Sequence, residues 1–239
     1  MTVAQRIGIR IADMRDGTTF KYQELGIAPS EYSAATKAIE RLRKKGVVDR
    51  ASTGVFYKPK KTVFGDLKPA QDELVKPYLY ENNKRIAYVT GTSLYNRMGL
   101  TTQVPKNLSV ASRDRRIITR IGDMQIRPVK SYVDVTKDNY QYLEILDAIK
   151  DIKIIPDSNI GTSILIICNG LQSLPEPSKL VKLALKYPPR VRALVGAMLE
   201  KVGLGKLTSA LQSSINPLSS FKYGIDEDLL PLANKWKIS

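Results

Sequence analysis

Lys37, Arg41 and Lys44 recur at spacings of four and three within Glu31 to Lys45, a stretch free of proline and glycine. Ammonium and guanidinium groups at that spacing share one side of a helix, where they can meet the phosphates and base edges of duplex DNA. Ala35, Ala38, Ile39 and Leu42 repeat at the same spacing on the other side and predict a face turned to a core. Ser30 is the expected N-cap and Gly46 the expected residue just past the C-terminal end. Helices in a major groove read bases from their N-terminal turns. Ser30, Ser33, Ala34 and Lys37 are therefore base-edge candidates, and Arg41, Lys44 and Lys45 are phosphate candidates. Two β-prone runs follow, Val47-Val48 and Val55-Phe56-Tyr57, joined by Ser52-Thr53-Gly54, with Lys58, Lys60 and Lys61 trailing. Arg50, Ser52, Thr53 and Lys58 are the candidates of this basic hairpin, toward a minor groove or the backbone. The competing reading is an ordinary solvent-exposed basic helix.

Composition points the same way. The 239 residues include 38 basic and 23 acidic side chains, a net charge of +15. The first 68 residues hold 14 of the basic and 7 of the acidic ones, so the densest positive charge coincides with the helix and hairpin. A polyanion is the simplest partner for such a surface. Hydrophobic residues make up 43%, enough for a core. No apolar run approaches the roughly 20 residues of a membrane span, and residues 1–14 are amphipathic rather than signal-like, so a cytoplasmic protein with no membrane partner is expected.

Several chemistries are excluded or weakened. The chain has no histidine, which removes the usual near-neutral base and imidazole metal ligand. The single cysteine, Cys168, lies in an apolar run and is expected to be a buried, inert thiol. Gly203-Leu204-Gly205-Lys206 departs from a phosphate loop, because Glu200 stands at its first glycine and Leu207 at its Ser or Thr. Asp226-Glu227-Asp228 has no obvious further carboxylate partners and reads as a solvated acidic loop. No catalytic residue, metal site or cofactor is expected. Arg113, Arg115, Arg116, Arg120 and Arg127 form a second basic cluster. It suits further phosphate or RNA contact, docking onto an acidic protein, or a plain solvated strand face.

The elements that would position these residues are an α+β set in three parts. Residues 1–62 read as a winged helix-turn-helix: a helix from Val3 to Met14, a short helix from Phe20 to Leu25, the basic helix and the hairpin. Phe64 to Pro69 reads as a linker. Residues 70–153 read as a small central α/β unit, with a helix at Gln71–Tyr80 broken near Pro77 and a short helix opened by Gly91. Strands are expected at 85–89, 108–112, 116–121 and 124–129, the last two joined by Gly122-Asp123, and a helix at 139–149. Residues 157–239 read as a mostly helical C-terminal region, including a helix over 190–202 with Pro189 at its first position.

Gly46-Val47-Val48-Asp49-Arg50 with Gly54-Val55-Phe56-Tyr57-Lys58-Pro59 resembles the wing of the AbiEi-type antitoxins of type IV toxin–antitoxin systems. Gly91 to Pro105, ending Gly99-Leu100-Thr101-Thr102-Gln103-Val104-Pro105, is similar to that family's small helix and following turn. Tyr187 to Gly196 and Ser214 to Leu218 are similar to a branch with an added helical C-terminal region. The resemblance implies a bacterial cytoplasmic transcriptional autorepressor, active in abortive infection, that binds inverted repeats in its own double-stranded operator DNA. It also implies an antitoxin that counteracts a cognate nucleotidyltransferase-like toxin, with or without direct contact, and that is not itself an enzyme. The chain lacks an acidic pair suitably spaced from Gly91-Thr92-Ser93, so it resembles the antitoxin rather than the toxin. The alternatives are a winged-helix regulator of DNA or RNA without a toxin partner, and a module that binds RNA through the Arg113–Arg127 cluster.

Overall fold

The computed structural model is a mixed α+β protein, described at residues 1–122, 124–225 and 227–239. Asp123 of the expected Gly122-Asp123 turn and Asp226 of the acidic loop lie outside the described residues. The chain forms two units, Met1–Asn83 with Ile117–Ile126, and Lys84–Arg116 with Arg127–Ser239. This differs from the three-part reading. The expected central part, 70–153, is divided between the two units, and residues 157–239 share one hydrophobic core with the remainder of the second unit.

The first unit opens with α1 (Val3–Asp13). Thr2 caps it: its hydroxyl accepts the Gln5 N–H at 3.3 Å, and the Gln5 side chain accepts the Thr2 N–H at 2.8 Å. Ile7 and Ile11 on α1 are buried. Where a helix was expected from Phe20, the chain instead makes a strand, β1 (Thr19–Lys21), and only then a 3-10 turn over Tyr22–Leu25. Extended backbone lets Phe20 bury fully against Phe56, with ring centroids 6.0 Å apart. A second 3-10 turn, Pro29–Glu31, precedes α2 (Tyr32–Lys44), so Ser30 is not its N-cap. Glu31 organises that entry: its carboxylate accepts the Ala28 N–H at 3.1 Å and pairs with Arg6. The backbone donor first, and then the guanidinium, hold this carboxyl below its usual range.

The end of α2 follows expectation. Gly46 sits at φ +66° and donates to the Arg43 carbonyl at 2.9 Å, while Val47 N–H reaches the Leu42 carbonyl at 3.0 Å. This closure needs a left-handed residue after the helix, which glycine adopts without a Cβ clash. The chain then runs into β2 (Asp49–Ser52), two residues later than the Val47-Val48 run suggested, and β3 (Val55–Tyr57). The sheet order is β1-β3-β2, all antiparallel, with a register irregularity between Arg50 and Ser52. Ile7, Ile11, Phe20, Leu25, Ala35, Ala38, Ile39, Val48 and Phe56 make the core of this unit.

The stretch expected as a linker is a second hairpin, β4 (Lys60–Thr62) and β5 (Gly65–Leu67). α3 (Gln71–Leu79) runs through Pro77 rather than breaking there. Pro77 has no N–H to give the Glu73 carbonyl, and the Thr19 hydroxyl supplies the missing donor at 2.9 Å. β6 (Tyr80–Glu81) follows.

The second unit contains β7 (Lys84–Arg85), β8 (Ala87–Thr90), α4 (Thr92–Arg97) and β9 (Asn107–Ser112). Next come β10 (Thr119–Ile121) and β11 (Met124–Lys130). β10 and the first half of β11 pair antiparallel within the first unit, Thr119 opposite Ile126, while the rest of β11 extends the sheet beside β9 and β8. Residues 116–118, expected in a strand, lie outside one. The remainder is helical: α5 (Tyr140–Asp151), α6 (Ile160–Gln172), α7 (Pro177–Ala184), α8 (Pro189–Lys201) and α9 (Ser209–Ser213). Pro189 occupies the first turn of α8, where a missing donor costs no hydrogen bond.

α8 is the centre of this unit. Val191, Ala193, Leu194, Val195, Gly196, Ala197, Met198 and Leu199 are all buried, so the helix is enclosed on every side. Trp236 closes over Gly196, and a Cβ there would come within 2.1 to 2.4 Å of the indole ring. Cys168 on α6 is also buried, and burial pushes its thiol up to about 11, in keeping with an inert group.

One carboxylate is sealed into this core. Asp147 on α5 is 2% exposed and accepts from Tyr88 OH at 2.9 Å, Thr90 Oγ1 at 2.8 Å, Tyr187 OH at 3.2 Å and Lys150 Nζ at 3.4 Å. Burial first, and then the Asp147 charge, push both tyrosine hydroxyls far up. Burial alone would lower Lys150, but the carboxylates of Asp147 and Asp151 outweigh it and hold the ammonium charged.

Two substitutions test this packing. Gly196→Ala forces the indole off α8 and lowers stability by about 2 kcal/mol. Because Trp236 is the only tryptophan, its emission reports the change as a red shift. Asp147→Ala strands three buried hydroxyls and an ammonium and costs about 3 kcal/mol or more, read as a lowered denaturant midpoint. An unchanged midpoint would show that the network contributes no net stability.

Candidate nucleic-acid interface

α2 presents its two sides differently. Ala35, Ala38 and Ile39 are at most 5% exposed and Leu42 packs against the same core. A helix anchored along that stripe must turn the intervening positions outward. Ser33, Ala34, Lys37, Arg41, Lys44 and Lys45 are accordingly exposed, as is Ser30 in the preceding turn. Charge on this helix is only partly compensated. Glu40 pairs with Arg43 at 2.8 Å. Among the described residues, Lys37, Arg41, Lys44 and Lys45 have no ion-pair or side-chain hydrogen-bond partner within the chain.

The β2–β3 hairpin divides its candidates. Thr53 is exposed at the turn, next to Gly54 at φ +74°. Arg50 is exposed, with Nε on the Ser52 carbonyl at 3.1 Å, which steers its guanidinium along the strand. Ser52 is instead buried, and its hydroxyl hydrogen-bonds Tyr78 OH on α3. Lys58 is half-buried and employed within the unit. Its ammonium donates to the carbonyls of Ala12 at 2.9 Å and Met14 at 2.7 Å and lies 3.5 Å from the Asp16 carboxylate. Lys58 therefore neutralises the C-terminal end of α1, where cations favour the helix dipole. Tyr57 likewise faces inward: it donates to Asp49 at 2.9 Å, and burial with that carboxylate pushes its hydroxyl up to about 12.

The second basic cluster is divided between the two units. Arg120 belongs to the first unit, and Arg113, Arg115, Arg116 and Arg127 to the second. Arg113, Arg115 and Arg116 line a shallow cavity of about 380 Å³ with Lys130, and Arg127 does not reach it. Arg113 is held by the carbonyls of Tyr132 at 2.7 Å and Ser131 at 3.4 Å, so its position is set by the loop after β11. Among the described residues, no group of three His, Cys, Asp or Glu side chains is arranged to hold a metal ion. No helix among them is long and apolar enough to cross a membrane.

The sequence reading missed the β4–β5 hairpin. Lys60, Lys61 and Lys68 are exposed on or beside its arms, and Val63 and Phe64 are exposed at its tip. The available signal was the Val63-Phe64-Gly65 step between two lysine-bearing runs. It was masked because neither three-residue arm alternates apolar with polar residues.

The chain has a distant structural likeness. Its fold superimposes on the crystal structure of the RV2827C protein from Mycobacterium tuberculosis with a TM-score of 0.55 at 10% sequence identity, covering 98% of this chain and 90% of that one. At that identity the likeness speaks to the fold alone. No match is found among curated proteins. Residues 10–161, which include the basic helix, both hairpins and the sheet of the second unit, match a family described as a family of unknown function, DUF6088. The chain therefore belongs to the DUF6088 family.

Proposed function

We propose that residues 1–62 act as a winged helix-turn-helix that binds duplex DNA, with α2 in the major groove and the β2–β3 hairpin as the wing. The observation that carries this is the outward face of α2: Lys37, Arg41, Lys44 and Lys45, exposed and without partners in the chain, beside the small residues Ser33 and Ala34. Small side chains near the helix start let its backbone approach base edges, and the cations beyond them suit the flanking phosphates. The order α1, β1, a short helical turn, α2 and then a hairpin, with sheet order β1-β3-β2, supports the same reading. Within it, Ser52 and Lys58 serve the fold, and Arg50 and Thr53 are the wing's contacts.

The biological role follows from the resemblance rather than from the geometry. The chain acts as a cytoplasmic autorepressor and antitoxin without catalytic activity, opposing a nucleotidyltransferase-like toxin. A regulator without a toxin is the second reading, and the Arg113, Arg115 and Arg116 cavity in the other unit gives that version a place to hold structured RNA.

Fluorescence anisotropy with a duplex from the region upstream of the gene, against a scrambled duplex over a salt series, tests the DNA reading. The native duplex is preferred at physiological salt, and Lys37→Ala with Arg41→Ala weakens binding on the order of 100-fold with an unchanged circular dichroism spectrum. Lys44→Ala reduces the salt slope by about one. Retained affinity in the double variant would remove α2 from the interface. For the antitoxin role, expression of an adjacent nucleotidyltransferase gene arrests growth and co-expression of this chain restores it. Growth arrest unaffected by the chain would leave a plain regulator.

A further inference from the structure

The β4–β5 hairpin carries the two most exposed large apolar side chains of the first unit, Phe64 and Val63, with Leu67 beside them. Phe64 is 98% exposed, Val63 94% and Leu67 53%. Single exposed apolar residues are common on proteins, but two adjacent at a hairpin tip with no covering element are not. Their exposure is built into the hairpin. Thr62 stands opposite Gly65 and closes a two-residue loop of Val63 and Phe64. The Thr62 hydroxyl donates to the Gly65 carbonyl at 2.7 Å and accepts the Phe64 N–H at 3.2 Å. Gly65 takes φ +110°, a conformation that a side chain would strain. Pro59 and Pro69, both buried, anchor the two ends. The tip is held out by its own hydrogen bonds.

Charge selects the partner. Lys60, Lys61 and Lys68 are exposed around the hairpin, and the only carboxylate on it, Asp66, stands opposite Lys61. Lysine is depleted at the cores of protein–protein interfaces, whereas phosphates flank every base step of a duplex. Apolar side chains carried by basic elements are how proteins enter the minor groove, partly unstacking a base step and kinking the helix.

We propose that the β4–β5 hairpin is a second DNA-binding element in which Phe64, backed by Val63, wedges into a base step from the minor groove while Lys60, Lys61 and Lys68 hold the adjoining phosphates. This rests on the DNA-binding reading of α2 and adds to it a deformation that the recognition helix and wing do not supply. The hairpin thereby selects sites with flexible pyrimidine–purine steps, where kinking costs least.

The test uses the full chain and the upstream duplex, labelled with 2-aminopurine at successive pyrimidine–purine steps and, separately, with a fluorophore pair at its ends. Wild-type protein raises 2-aminopurine emission at one step and shortens the end-to-end distance. Phe64→Ala abolishes both signals and weakens binding about ten-fold. Because Phe64 touches nothing in the fold, its removal leaves the melting temperature unchanged. Phe64→Leu, still an apolar wedge, restores the bend without the full affinity. If Phe64→Ala binds and bends DNA like the wild type while Lys37→Ala with Arg41→Ala still loses binding, the wedge is overturned and the α2 reading stands. If instead Phe64→Ala loses only self-association in sedimentation, the tip is a contact between copies and the proposal fails. If the wild-type chain binds neither duplex, both readings fall together.

Discussion

The burial of Ala35, Ala38 and Ile39 decides what the first unit can present. A helix advances about 100° per residue, so fixing one stripe against a core fixes the direction of every other side chain on it. The stripe on α2 is made of small and β-branched residues that lie against α1 and the three-stranded sheet. Lys37, Arg41 and Lys44 then have nowhere to go but outward. Their display needs no dedicated interaction. It depends on the packing behind them, on Gly46 ending the helix where it does, and on Glu31 with Arg6 and Ala28 setting its start. Loss of that packing would move the cations by whole fractions of a turn and so scatter the face they share.

The second unit rests on a different constraint, a charge placed in an apolar core. Asp147 is tolerable there because each oxygen is occupied: Tyr88 and Thr90 on Oδ2, Tyr187 and Lys150 on Oδ1. A buried carboxylate so bonded specifies geometry more than it adds stability, since the same volume could be filled with apolar atoms. It ties β8, α5 and the turn before α8 to one point. Removing any one donor leaves a poorer network in place, while removing the acceptor leaves all of them stranded.

What the sequence revealed tracks the range of the forces involved. The α2 face, the Gly46 terminus and Pro189 at the start of α8 are local patterns, settled within a turn or two of chain, and they were legible. The β1 strand was not, because Phe20 is drawn into extended backbone by Phe56, 36 positions away. The same holds for Ser52, whose partner Tyr78 lies 26 residues on, and for Lys58, which returns to α1 across 44 residues or more. Pro77 was expected to break its helix and does not, since Thr19 supplies the donor the carbonyl lost. That residues 84–116 and 157–239 share one core was not legible, because periodicity marks an apolar face without naming what covers it.

The cations of the first unit sort themselves by this criterion. Arg6, Arg10, Lys21, Arg43 and Lys58 each satisfy a carboxylate or a carbonyl of the fold. Lys37, Arg41, Lys44 and Lys45 satisfy none. Lys37, Arg41 and Lys44 on α2, with Lys45 at its C-cap, repel one another, and the repulsion is only partly relieved by the negative end of the helix dipole. A chain selected for stability alone would gain by replacing some of them with neutral helix formers. On α2 that cost falls on the one face left unburied, and the exposed Lys60, Lys61 and Lys68 on and beside the β4–β5 hairpin add to the same uncompensated charge. Under the proposed DNA-binding reading, a polyanion reverses the sign of that cost, turning mutual repulsion in the free protein into attraction in the complex.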